Sequence, residues 1–185
     1  MLKFGCFAFL VFFGIGNCAS ITNQISPFGK ISESYSKFDE TRVVRMSPVL
    51  AKHGLTDIQA KFGLYWDSNK QDIALLEVHV GDITNFDPKA LFELKIDGEL
   101  ISLPVADSKE FSVVDGYSSH KNYIVTKEQV IKIANGLIGV YRIKFLNNTY
   151  SVGKISYKNQ KAQDYVPYSF RNFYNKVWGV ETNKQ

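Results

Sequence analysis

Apolar side chains recur at every second position through much of residues 62–155. That period commits the segment to β-strands, because successive strand residues face opposite sides of a sheet. In Phe62-Gly63-Leu64-Tyr65-Trp66 bulky residues alternate until Asp67-Ser68-Asn69 breaks the run. Residues 73–80 (IALLEVHV) continue the pattern, with Ala74, Leu76, Val78 and Val80 on the core side and Glu77 and His79 on the other. The clearest hairpin covers residues 91–105. Phe92, Leu94 and Ile96 alternate with Glu93, Lys95 and Asp97, and the chain returns through Leu100, Ile101 and Leu103. Asp97-Gly98 is its turn, since both central residues of a type I′ turn need positive φ. Pro104 lacks the N–H of a ladder residue and belongs at a strand end or edge. A second hairpin is predicted over residues 140–155, with Tyr141, Ile143 and Phe145 inward and Asn147-Asn148 at the turn.

Two helices interrupt this pattern. Thr126-Lys127-Glu128-Gln129 fits a capping box, and Val130, Ile131 and Ala134 form a short apolar stripe before Asn135-Gly136 ends it. After Pro167, the residues Phe170, Phe173, Tyr174, Val177 and Trp178 lie on one face of an amphipathic helix that Gly179 stops. That stripe reads as the cover of a sheet; the alternative is an exposed partner-binding face of Phe170, Phe173, Tyr174 and Trp178. The expected fold is α+β and mainly β. Six to eight short strands form an antiparallel curved sheet or small sandwich, with one short helix and a C-terminal amphipathic helix across it.

The amino terminus points to export. Lys3 precedes an uncharged apolar run at residues 4–15 (FGCFAFLVFFGI), the length of a signal-peptide core and too short to span a bilayer comfortably. Ile15-Gly16-Asn17-Cys18 resembles the bacterial lipobox, in which small residues precede a cysteine that becomes lipid-modified residue one. Asn17 departs from the usual glycine or alanine. Ordinary secretion with cleavage after Ala19 or Ser20 is the rival, and an uncleaved anchor a third reading. Ala19, rather than Asp, resembles the enterobacterial signal for outer-membrane sorting. Both cysteines of the chain, Cys6 and Cys18, lie in this segment, so the rest has no internal disulfide. Acylation, with palmitate among the chains added, gives Cys18 a use where a lone thiol would be a liability, and two acyl chains suffice for stable anchoring. The expected organisation is a signal peptide over residues 1–17, a tether over 18–36, one globular domain over 37–180 and a polar tail over 181–185.

Composition narrows the function classes. With 45% hydrophobic and 22% charged residues the chain is globular rather than disordered. Lys3 is the one charged residue of the export segment, so its removal lowers the formal net charge from +4 by one. No run of five or more Lys and Arg occurs, so a nucleic-acid partner is not expected. The phosphate-binding, dinucleotide-binding, zinc-protease and nucleophile-elbow motifs are absent, and no cofactor is implied.

What remains is three histidines and scattered carboxylates. Glu77 and His79 point the same way from one strand and are weak candidates for a metal or catalytic pair, lacking a third ligand nearby in sequence; the plainer reading is a cross-strand polar pair. Asp115, Ser118 and His120 hold the residue types of a catalytic triad within one loop, without the fold-built geometry that a triad requires. Asp82, Asn85 and Asp87 offer oxygens for calcium but lack the calcium-loop pattern, and Asx turns explain them as well. His53 reads as a loop residue, and Asn147-Asn148-Thr149 as a turn despite matching a glycosylation sequon. The leading expectation is a non-catalytic binding or scaffolding domain of the bacterial envelope, held by lipid on Cys18 at the outer membrane facing the periplasm, with an envelope protein as partner. Secretion follows if Cys18 leaves with the signal. An exported hydrolase or metal-dependent enzyme using His79 with Glu77, or Ser118 with His120, is the alternative. The 14 Phe and 10 Tyr suggest a third, a carrier of a small apolar ligand.

Overall fold

Strands of alternating character pair antiparallel wherever a short turn returns the chain, and the computed structural model shows this over most of its length. It describes residues 29–51, 59–81, 85–106, 119–156 and 165–179. In chain order these form β1 (Ile31–Ser36), β2 (Thr41–Leu50), β3 (Ala60–Asp67), β4 (Ile73–Val80), β5 (Phe92–Ile96), β6 (Glu99–Leu103), β7 (Ser119–Thr126), α1 (Lys127–Asn135), β8 (Gly139–Lys144), β9 (Tyr150–Ser156) and α2 (Tyr165–Trp178). The strands make two antiparallel sheets, a first of order β1-β2-β3-β4-β7 and a second of order β6-β5-β8-β9. This is the mainly-β α+β fold expected, as a sandwich.

Both predicted hairpins form. Asp97 and Gly98 take φ of 49° and 92°, and Asn148 takes 61° at the other turn. Asp97 has a second role that local sequence does not announce: its carboxylate accepts from the Ile138 N–H at 2.8 Å and from the Leu137 N–H, tying the α1–β8 connection to the hairpin. Phe92, Leu94 and Ile96 from β5, with Tyr141 and Ile143 from β8, are buried inward. They meet the inner face of the first sheet. Phe62 packs against Phe92 at 5.6 Å and edge-on against Tyr141 at 5.2 Å, and Phe92 lies 5.3 Å from Tyr123. Residues 104–106 join the sheets at one corner, where the N–H of Ile124 donates to the Pro104 carbonyl and the N–H of Ala106 to that of Asn122. Pro104, as expected, ends its strand.

The rest of that inner face is covered by α2. Val166, Phe170 and Phe173 are buried in the core, and Trp178 stands edge-on to Trp66 at 6.5 Å. The stripe is therefore a sheet cover. The carbonyl of Gln71 accepts from both indoles, at 3.4 Å from Trp66 and 2.5 Å from Trp178. Arg42 seals the end of the helix: its Nη2 donates to the Lys176 carbonyl at 3.1 Å while Nε binds Glu33 at 2.6 Å. Helix α1 packs beside α2, with Arg171 donating to the Ala134 carbonyl at 2.8 Å. The capping box at Thr126 forms in both directions.

Several expectations change. Ile31–Ser36, read from the sequence as part of a tether, is an edge strand. Its order comes from pairing with β2 and from the Glu33 ion pairs, not from an apolar period. Helix α2 begins at Tyr165 rather than after Pro167, a first-turn position where the missing N–H would be unpaired in any residue. Gly136 ends α1 as expected, in an extended conformation (φ −62°); a Cβ there would collide with Ile96. There are nine strands among the described residues, not six to eight. Three strands, β1, β2 and β7, were not read from the sequence; β2 hides its alternation behind a bulge between Met46 and Val49, where Pro48, without an N–H, is tolerated. Residues 1–28, including Cys18, lie outside the described residues, as does His53.

Tyr141 lies directly across from Gly153, and a Cβ at Gly153 would overlap its ring. Gly153→Ala is expected to destabilise the domain by about 1–3 kcal/mol, the usual range for overpacking, with an unchanged urea m-value. A urea midpoint equal to the wild type's would contradict the packing described.

Candidate functional site

The register of the first sheet determines what its outer face carries. Direct cross-strand partners put Lys61, His79 and His120 in one row over β3, β4 and β7, and Gly63, Glu77 and Asn122 in the next. Partners of this kind share a face with Cβ atoms close together. Arg45 stands on β2 beside Tyr65 of β3. Residues scattered over the chain thus form one polar surface.

Gly63 makes its central contact possible. A Cβ there would stand 3.0 Å from Glu77 Oε2 and 3.1 Å from the Met46 carbonyl. Without one, Glu77 lies over β3 and reaches Arg45 on the far strand, with Nη2 at 3.2 Å from Oε2. The same oxygen is 3.7 Å from His79 Nε2, a charge-attraction distance beyond a hydrogen bond. The Glu77 side chain is only 12% exposed, while that of Arg45 is 44% exposed. Burial opposes ionisation of Glu77, but His79 and Arg45 together outweigh it and hold the carboxyl below the usual glutamate value. The His79 and His120 rings stack, with centroids 5.5 Å apart and planes inclined by 24°. His79 Nε2 and Asn122 Oδ1 are both shielded from solvent with no hydrogen-bond partner among the described residues.

The pairing of Glu77 with His79 was legible; the roles of Arg45, His120 and Gly63 were not. Arg45 and His120 lie 32 and 43 positions from Glu77, and only strand register connects them. Among the described residues no group of three His, Cys, Asp or Glu is suited to a metal ion. Asp115 and Ser118 of the triad reading lie outside the described residues, and His120 faces His79. Of the calcium reading, Asp82 is outside the described residues. Asp87 instead binds Lys144 at 3.1 Å and accepts from the Lys89 N–H at 3.0 Å, an Asx turn. That backbone N–H, with Lys144, keeps the Asp87 carboxyl below its ordinary value. Asn147 likewise closes its own turn, accepting from the Thr149 N–H at 3.1 Å and hydroxyl at 2.6 Å. Of the aromatic stripe offered as a partner face, Phe170 and Phe173 are buried and unavailable, while Tyr174 and Trp178 are half-buried against the core. The rings of Phe62, Phe92, Tyr123 and Tyr141 pack against one another between the two sheets. No helix among the described residues is long and apolar enough to cross a membrane.

No protein family, curated protein or solved structure matches this chain.

Glu77 has a depressed pKa, so the stability it contributes is fully present above the unfolded glutamate value near about 4.3 and is lost as pH falls through the folded value. Glu77→Gln should flatten the acid limb of the stability curve between about pH 5 and pH 3. Urea midpoints measured across that range check this; parallel curves for the two proteins would refute the assignment.

Proposed function

We propose that this chain is an exported, lipid-anchored protein of the bacterial cell envelope whose single domain binds a partner through the outer face of its first sheet. The observation that carries the binding reading is the surface of Arg45, Glu77, His79, His120 and Asn122. Its charged groups are gathered on strands that a packed core holds rigid, and they engage each other rather than a nucleophile. His79 Nε2 has no hydroxyl set against it among the described residues, whereas nucleophilic catalysis requires the base within hydrogen-bond reach of the group it activates. A rigid scaffold bearing an incompletely partnered polar face suits recognition. The anchor reading is supported by Ile15-Gly16-Asn17-Cys18 after a short apolar run, and by the lack of any later cysteine. Diacylation at Cys18 would hold the domain at the membrane surface, in this reading the periplasmic face of the outer membrane.

Cells fed radioactive palmitate should yield labelled protein in the membrane fraction, and Cys18→Ala should lose the label and leave the membrane. Label retained by the variant, or absent from the wild type, would overturn the anchor.

A further inference from the structure

The outer face of the first sheet gathers basic groups around one carboxylate. Lys61, His79 and His120 occupy one cross-strand row, Arg45 stands near them on β2, and Glu77 lies between. Asn122 of β7 is the remaining polar neighbour in Glu77's row, and Tyr65 of β3 stands beside Arg45. Glu77 is shared: its Oε2 is 3.2 Å from Arg45 Nη2 and 3.7 Å from His79 Nε2. Histidine is the ordinary side chain whose charge changes between pH 5 and pH 8. Acid therefore alters this face in two linked ways. A protonated His79 competes with Arg45 for Glu77, turning a charge-attraction distance into a hydrogen-bonded ion pair and loosening the guanidinium, which is already 44% exposed. A protonated His120, stacked 5.5 Å from His79, adds a like charge that the Lys61 ammonium in the same row makes worse. Like charges held close by a rigid sheet are relieved by an anion.

We propose that this face is a proton-gated site for an oxyanion, a carboxylate-, phosphate- or sulfate-bearing group held by His120, Lys61 and the released Arg45, with His79 as the gate that frees Arg45. This deepens the reading of the face as the binding surface, and rests on it. Neutral imidazoles leave Glu77 with Arg45 and the face with little net charge; protonated ones leave a cationic row with a solvent-facing guanidinium at its edge. Linkage makes the effect reciprocal: protons raise affinity for the anion by the same factor by which the anion raises affinity for protons. A protein at that membrane surface would then bind its partner in acid and release it near neutrality.

The probe is sulfate, whose charge does not change between pH 5 and pH 8. Calorimetric titration of the full-length protein should show sulfate binding at least tenfold tighter at pH 5 than at pH 8. The ring resonances of His79 and His120 should shift when sulfate is added at pH 5. His120→Gln should lose most of the gain, and so should His79→Gln, which serves if the first variant does not fold. His53→Gln, which changes the remaining histidine, should keep it. Equal affinity at the two pH values, or a gain that survives in a folded His120→Gln or His79→Gln protein, would overturn the gating. Binding that is pH-independent yet lost in Arg45→Gln would overturn the gating while leaving the binding-surface reading intact. No binding at either pH would overturn the oxyanion class. None of these results depends on the palmitate label, so failure of the anchor and failure of the gate are separately visible.

Discussion

Contact between the inner faces of the two sheets, made by Phe62 with Phe92 and Tyr141, is the constraint on which the rest of this structure depends. No cysteine follows Cys18, so the described residues hold no disulfide and apolar burial must carry the fold. Large rings in edge-on and tilted contact bury much area for each residue ordered and favour one geometry over its neighbours. Tyr141 further depends on Gly153, the one position across from it where a side chain would be in the way.

Because side chains alternate along a strand, settling the inner face settles the outer one. Phe62 and Val78 are paired inward, so their neighbours Lys61 and His79 are paired outward. A slip by one residue would bury the charges and expose the core, which makes the register strongly specified. The polar surface is thus a by-product of the core, and its order comes from the same contacts. Gly63 adds the one local permission, letting Glu77 cross β3 to reach Arg45. The two helices finish the inner face beyond the reach of the second sheet, with Phe170 and Phe173 filling and the Arg42–Lys176 carbonyl contact closing the end.

Legibility followed the range of the interactions. The hairpin at Asp97-Gly98, the capping box at Thr126 and the stripe on α2 each depend on residues within about a dozen positions of each other, and each was readable. Strand β1 has no apolar period and exists through its partner β2, so its serines and glutamate resembled a tether. Strand β2 does alternate, but the bulge at Ser47-Pro48 shifts its phase midway. Half of the candidate site was visible as Glu77 and His79 on one strand face. The other half, Arg45 and His120, has no local signal, because a strand's partner is chosen by the whole fold.

By itself the sequence determined the class of the fold, its two hairpin turns, the start of α1 and the inward face of each clear strand. These are set by backbone sterics at single residues and by the two-residue and 3.6-residue periods of the chain. It also provided the export-like segment with Cys18 and a domain free of cysteine, the basis of the proposed anchor. Only the tertiary structure decided which strands became neighbours, and therefore that Arg45, Glu77, His79 and His120 share one surface. The physical reason is that β-pairing is non-local: the contacts that choose a partner strand are apolar and lie on the opposite side of the sheet from the charged groups they bring together.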